Sequence, residues 1–168
     1  MRTCGRSRFI ENKIISPARL KIILKQLQSA GKKIVFTNGC FDLIHAGHVR
    51  YLSAAKNMGD VLILGLNSDS SVRKIKGPKR PLVTQKDRLA VMASLECIDF
   101  VVIFNETTPL KIIQILKPDI LVKGADWKSS DIVGADFVKK HGGKVATIKL
   151  TRGRSTSNLI KKIVKIYG

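Results

Sequence analysis

The 168-residue chain carries 31 Lys and Arg against 12 Asp and Glu, a formal charge of +19 at pH 7, with 44% hydrophobic residues. That composition suits one well-buried globular domain whose field draws anions, and no apolar run approaches the ~18 residues of a membrane-spanning helix. No apolar stretch follows the basic start Met1–Arg8, so no secretory signal is expected. Cys4, Cys40 and Cys97 are too few and too scattered for a disulfide framework or a zinc site, which points to the cytoplasm.

Residues 1–12 read as a flexible basic extension, and 13–168 as a single domain. Ser16-Pro17 is a helix start, and Leu20, Ile23, Leu24 and Leu27 recur at helical spacing until Gly31. A first strand is expected over about Lys33 to Thr37, then a helix from Ala46 to Met58. Val61 to Leu66 is an unbroken apolar run, the pattern of a strand covered on both faces. Ser70 to Val83, rich in lysine with two prolines, reads as a basic loop with a helical turn at its start. Thr84 caps a helix through Arg88, Leu89 and Met92. Phe100 to Phe104 is the third strand and Thr108-Pro109 opens a helix to Leu116. Ile120 to Val122 is the fourth strand, Asp131 to His141 a helix, Lys144 to Leu150 the fifth strand, and Asn158 to Tyr167 a terminal helix. Strand and helix alternate without repeat or linker, so the expected fold is α/β, a doubly wound five-stranded parallel sheet.

The segment Thr37-Asn38-Gly39-Cys40-Phe41-Asp42-Leu43-Ile44-His45-Ala46-Gly47-His48 falls where the first strand hands over to a helix. In an open parallel sheet that rim is where ligands bind, and a helix N-terminus offers free N–H groups and positive dipole to an anion. Gly47 leaves the backbone open to a phosphate. His45 and His48 can donate hydrogen bonds to it, more strongly as charge builds in a transition state. Metal ligation by the two histidines would need further Cys or carboxylate ligands nearby, and none stands there. Cys40 needs no chemistry of its own. Dinucleotide and P-loop glycine motifs are absent.

Other polar groups also follow strands: Asn67, Ser68 and Asp69 after the second, Lys123 to Trp127 after the fourth, Arg152 to Ser157 after the fifth. Any one of them is explicable as a cap or turn; their convergence on one edge argues for a site. Ser155-Thr156-Ser157 reads equally as an N-cap or as donors to the β and γ phosphates of a nucleotide. Asp42 either binds sugar hydroxyls or orients a turn. Lys76 and Arg80 either hold a sugar phosphate or belong to a solvated loop. A lone tryptophan such as Trp127 commonly packs in a core, the alternative being a sugar or adenine. His141 suits a helix C-terminus. A basic RNA-binding module is the rival class, although aromatics are only 5% and the lysines form no stripe.

Gly39-Cys40-Phe41-Asp42-Leu43-Ile44-His45-Ala46-Gly47-His48 resembles the G-x-F-D-x-x-H-x-G-H signature of the nucleotidyltransferase superfamily, and the likeness runs from about Ile14 to Lys165. Within it the chain most resembles the heptose 1-phosphate adenylyltransferases of lipopolysaccharide core assembly. The stretches that carry this are Gly65-Leu66-Asn67-Ser68-Asp69-Ser70-Ser71-Val72, Asp119-Ile120-Leu121-Val122-Lys123-Gly124-Ala125-Asp126-Trp127 and Gly153-Arg154-Ser155-Thr156-Ser157. The last departs from the cytidylyltransferase form R-T-x-G-I-S-T-[TS]: Leu150 replaces its arginine and Arg154 its isoleucine, which argues against cytidine and leaves Arg152 and Arg154 as phosphate contacts.

The resemblance implies His45 and His48 as catalytic residues. It implies a nucleotide site of Asn38, Gly39, Cys40, Phe41, Gly47, His48, Arg88, Gly124, Asp126, Ser155, Thr156 and Ser157. The sugar-phosphate site it implies comprises Asp42, Asn67, Asp69, Lys76, Arg80, Lys123 and Trp127. It further implies ATP and a sugar 1-phosphate as substrates, Mg2+ carried with ATP and not by protein ligands, no specific nucleic acid, no membrane, and a homodimer. A CTP-dependent enzyme, or one acting on glycerol phosphate or phosphopantetheine, is the alternative within the superfamily.

Overall fold

The computed structural model describes residues 6–126, 131–149, 151 and 153–168. Five strands form one parallel sheet: β1 (Ile34–Gly39), β2 (Val61–Asn67), β3 (Phe100–Phe104), β4 (Ile120–Gly124) and β5 (Lys144–Ile148), in the order β3-β2-β1-β4-β5. The helices are α1 (Arg6–Lys13), α2 (Pro17–Ser29), α3 (Ala46–Lys56), α4 (Asp69–Lys76), α5 (Gln85–Ala93), α6 (Leu110–Leu116), α7 (Ala135–Lys140) and α8 (Thr156–Tyr167).

Strand alternation divides the core in two. Ile34, Phe36, Ile63, Val102 and Leu121 face one side, under Leu20 and Leu24 of α2, Ile112, Ile113 and Leu116 of α6, and Val138 of α7. Val35, Leu62, Leu64, Val101 and Val122 face the other, under Leu52 and Ala55 of α3 and Met92 and Ala93 of α5. Because successive side chains point to opposite faces, both layers draw on the same strands. Every residue of interior strand β2 is buried, while edge strand β5 is half exposed, as a doubly wound sheet requires.

Acidic side chains fasten the amino ends of the strands. Asp60 accepts from Lys33 N–H at 2.8 Å, Asp99 from Leu62 N–H at 2.6 Å, and Asp119 from Ile34 N–H at 2.9 Å. These carboxylates therefore lie at the edge opposite the carboxyl ends, whose own charge stays basic. The strand order reverses between β1 and β4, and such a switch point opens a crevice outside the carboxyl ends.

Three expectations change. Helix α1 occupies part of the segment read as a flexible extension: Ile10 packs on the second core layer, Lys13 Nζ donates to the Leu95 carbonyl at 3.0 Å, and Ile15 N–H donates to Val101. Its two apolar residues, adjacent in sequence, left no periodic signal there. The basic loop is also shorter than expected, since α4 takes its first half. Ser68 caps that helix, Ser71 Oγ donates to the Glu106 carbonyl at 2.6 Å, and Val72 is buried beneath it. The helix read from Asp131 begins only at Ala135.

Candidate active site

The crevice is a cavity of about 550 Å³ at the switch point. Its first wall is the turn between β1 and α3, where Phe41 holds a left-handed backbone at φ 47°, uncommon outside glycine and a mark of a constrained turn. The turn delivers His45 to the N-cap of α3 and His48 to its first turn. Gly47 separates them for a reason additional to phosphate access: a Cβ there would lie 2.9 Å from His45 Nδ1 and 3.2 Å from Arg154 Cβ. The two imidazoles stack, with centroids 3.8 Å apart and planes at 15°, and Phe41 tilts against His48 at 5.2 Å.

Both rings are neutral at pH 7. Burial, then the charge of neighbouring His45, pushes His48 down to about 4; burial, then the Arg154 charge, lowers His45. Both ring nitrogens of His45, Nδ1 of His48 and Oδ1 of Asn38 are buried without any protein partner among the described residues. Buried polar atoms are normally satisfied, and three orphaned ring nitrogens at a helix N-terminus, with a fourth orphan at the end of β1, mark a place where a ligand completes the bonding.

Of the residues read from sequence, Asn38, Gly39, Cys40, Phe41, Asp42, His45, Gly47 and His48 line the cavity from the first wall. Asn67, Lys76, Arg80, Lys123, Gly124, Asp126, Arg154, Ser155, Thr156 and Ser157 line the rest. Trp127 and Arg152, like Leu150, lie outside the described residues. Ser155 caps α8 by accepting from Asn158 N–H at 3.1 Å, and Thr156 Oγ1 donates to the Leu43 carbonyl at 3.3 Å, so this segment is a helix cap that also borders the cavity.

Two expected contacts are not cavity groups. Arg88 is 1% exposed; it donates to the carbonyls of Val83, Cys40 and Asn67 and pairs with Asp69 at 2.7 Å. Neither Arg88 nor Asp69 lines the cavity. The arginine instead braces the β1–α3 turn, the end of β2 and the start of α5 from beneath, because a buried guanidinium needs all its donors met. Asp42 does line the cavity, but its carboxylate accepts from Arg80 Nε and from the N–H groups of Leu82 and Val83. Burial works to raise its pKa, and the Val83, Leu82 and Arg80 hydrogen bonds outweigh this, leaving it below the ordinary value. It therefore orients a turn, and pins the loop carrying Arg80 to the motif.

Sequence reasoning passed over Tyr51, Ile75, Thr107, Thr108, Pro109, Ile132, Val133 and Thr151, all on the cavity wall. Tyr51 could have been found: it follows the motif histidine by one turn, and its hydroxyl bonds Thr37 at 2.7 Å and donates to the Val122 carbonyl, tying α3 to the ends of β1 and β4. Thr107 to Pro109 carried only a helix-start signal. Among the described residues no group of three or more His, Cys, Asp or Glu could hold a metal ion.

This fold and this histidine pair at its switch point define a nucleotide-handling α/β transferase class. The cytidylyltransferase-like family matches residues 36–162, and the chain belongs to that nucleotidyltransferase family. It is 56% identical over 146 residues to the bifunctional protein HldE of Geobacter metallireducens, covering 87% of this chain and 30% of that protein. It is 50% identical over 157 residues to HldE of Syntrophotalea carbinolica, covering 94% and 32%. The chain thus spans about a third of the length of these relatives. Among solved structures it resembles the lipopolysaccharide core biosynthesis protein of Thermoplasma volcanium, with TM-score 0.61 and 28% identity over 74% of this chain and all of that one.

Proposed function

We propose that the chain transfers AMP from ATP to a sugar 1-phosphate, D-glycero-D-manno-heptose 1-phosphate, giving ADP-heptose and pyrophosphate. The observation that carries the phosphate site is the set of orphaned ring nitrogens on His45 and His48 at the start of α3. The sugar assignment is supported by HldE relatives and by the lipopolysaccharide-core neighbour.

In this reaction an oxygen of the sugar phosphate attacks the α-phosphorus of ATP in line. One P–O bond forms, the bond from the α-phosphorus to the bridging oxygen breaks, and pyrophosphate leaves with the electron pair. The attacking oxygen is already anionic, so the protein needs neither nucleophile nor base; positioning and charge neutralisation carry such transfers. Neutral His45 and His48 donate N–H bonds to phosphoryl oxygens, alongside the α3 N-terminus. Ser155, Thr156 and Arg154 border the nucleotide, and Lys76, Arg80 and Lys123 provide cations for the second phosphate. Magnesium would enter with ATP as part of the substrate and would supply charge neutralisation on its phosphates. An enzyme using ATP in this way acts in the cytoplasm, as a homodimer in our reading; among the described residues no helix is long and apolar enough to cross a membrane.

The test is a panel of nucleoside triphosphates against sugar 1-phosphates, glycerol 3-phosphate and phosphopantetheine, followed by pyrophosphate release. Turnover with ATP and heptose 1-phosphate is expected; turnover confined to glycerol 3-phosphate or phosphopantetheine would overturn the sugar assignment.

A further inference from the structure

Helix α8 is amphipathic along its whole length. At the α-helical rotation of about 100° per residue, Leu159, Ile160, Ile163, Val164, Ile166 and Tyr167 share one arc of roughly 160°. Lys161, Lys162 and Lys165 occupy the opposite face, and the helix contains no acidic residue. Its apolar face is nevertheless not part of the core, since no residue of α8 is buried. The start of the helix docks: Thr156 Oγ1 donates to the Leu43 carbonyl at 3.3 Å, and Leu159 borders an apolar groove with Leu43, Ile44, Val83 and Val91. Further along, the same face is uncovered, with Ile163 51% exposed, Val164 61%, Ile166 56% and Tyr167 85%. An apolar strip of this kind, rimmed by charge, marks an interaction surface.

Charge decides what covers it. The chain carries +19, and Asp60, Asp99 and Asp119 are held at the amino ends of the strands, away from the carboxyl edge where α8 begins. Asp42, which borders the groove under α8, is already matched by Arg80. The three lysines of α8 are exposed. Pairing this face with a second copy would bring two such fields within a Debye length, about 8 Å at physiological salt. An anionic lipid surface meets both halves of the helix instead. Its acyl boundary takes the isoleucines and the valine, and its headgroups attract the lysines, whose long stems reach back to them. Tyr167, with an apolar ring and a polar tip, suits the headgroup level. At 12 residues α8 is too short to span a bilayer, which takes ~20, so it would lie in the interface.

We propose that α8 is a peripheral membrane-binding helix, whose exposed Ile163, Val164, Ile166 and Tyr167 enter an anionic lipid surface. The expectation of no membrane that the resemblance carries then holds for spanning and not for surface contact. Because Ser155 and Thr156 at the start of α8 border the cavity, the bound protein holds that rim beside the lipid. The proposal does not depend on which nucleotide or acceptor the cavity takes.

The experiment is co-sedimentation of the full chain with sucrose-loaded vesicles of equal parts phosphatidylethanolamine and phosphatidylglycerol, with pure phosphatidylcholine as the neutral comparison. Binding to the anionic vesicles is expected, weakening between ~0.1 M and ~0.5 M salt, with none to phosphatidylcholine. Val164→Ser combined with Ile166→Ser should weaken it about tenfold or more. Lys161→Gln, Lys162→Gln and Lys165→Gln together should weaken it ~10²-fold. The same three charges removed from exposed Lys21, Lys25 and Lys139 should matter far less, which separates α8 from the general positive field. Tyr167→Trp should add emission that shifts to the blue on binding and is quenched by brominated lipid. The substituted positions are exposed, so the variants should melt with the wild type. No binding to anionic vesicles, equal losses in the two lysine sets, or an unquenched reporter overturns the proposal. So does a dimer, seen by sedimentation equilibrium without lipid, that Val164→Ser with Ile166→Ser dissociates, since the face would then belong to a second copy.

Discussion

His45 and His48 stack face to face at 3.8 Å with neither His45 ring nitrogen, nor Nδ1 of His48, bonded to protein among the described residues. Such a pair survives only while both rings stay uncharged or an anion sits between their donors, since two imidazoliums at that distance would repel. His48→Ala should fold normally and lose on the order of 10²-fold in kcat, the usual cost of one transition-state donor. Steady-state turnover of the purified variant checks this, and near-normal turnover would remove His48 from the chemistry.

Burial of His48, with the His45 charge beside it, sets an acid limit on stability. His48 sits at about 4 in the folded chain against its ordinary 6.5, so between those values the unfolded chain binds the extra proton. Stability is therefore fully present above about pH 6.5 and falls as pH drops towards about 4. Thermal melts across that window should show Tm declining, with a shallower decline in His48→Ala. An unchanged slope in the variant would show that other groups set the acid limit.

Arg88 is expected to matter for the fold before it matters for any nucleotide. Arg88→Met leaves the carbonyls of Val83, Cys40 and Asn67 and the Asp69 carboxylate without their donor. Breaking one side of a buried charged network costs ~3 kcal/mol or more, a Tm loss on the order of 10 °C. A variant with unchanged Tm and only a raised KM for ATP would return Arg88 to the nucleotide site.

Much of this architecture is legible in the chain because its strands are short apolar runs bounded by polar turns. Val61 to Leu66 and Phe100 to Phe104 needed nothing else, and the Gly39–His48 motif names its own place at a strand-to-helix junction. Long-range partnership is what the sequence withholds. Nothing local to Arg88 says that its guanidinium reaches back 48 residues to the Cys40 carbonyl, and a helix-surface arginine reads the same. Nor does Asp42 announce that Arg80, Leu82 and Val83 will fold over it. Thr107 to Pro109 reach the cavity only because β3 ends beside β2, a fact of strand order and not of spacing.

Asp42 is accordingly expected to act through the loop it holds. In Asp42→Asn the amide can accept from only one side, and the charge that fixes Arg80 is gone. KM for the sugar phosphate should rise about tenfold, equivalent to ~1.4 kcal/mol, with a smaller change in kcat. Separate KM and kcat determinations check this; a fall confined to kcat would instead put the carboxylate at the reacting phosphate.

Adenylyl transfer to a sugar phosphate is tested most directly by kcat/KM for ATP and for CTP, each with heptose 1-phosphate at saturating magnesium, with the product identified by mass. Base edges are discriminated by buried hydrogen bonds that a wrong base leaves unpaired, whereas the triphosphate contacts proposed at His45, His48 and Thr156 would take either nucleotide. The account predicts ADP-heptose, with ATP strongly preferred and CTP a weak competitor that turns over poorly. CTP equal to or better than ATP, with CDP-heptose as product, would contradict it.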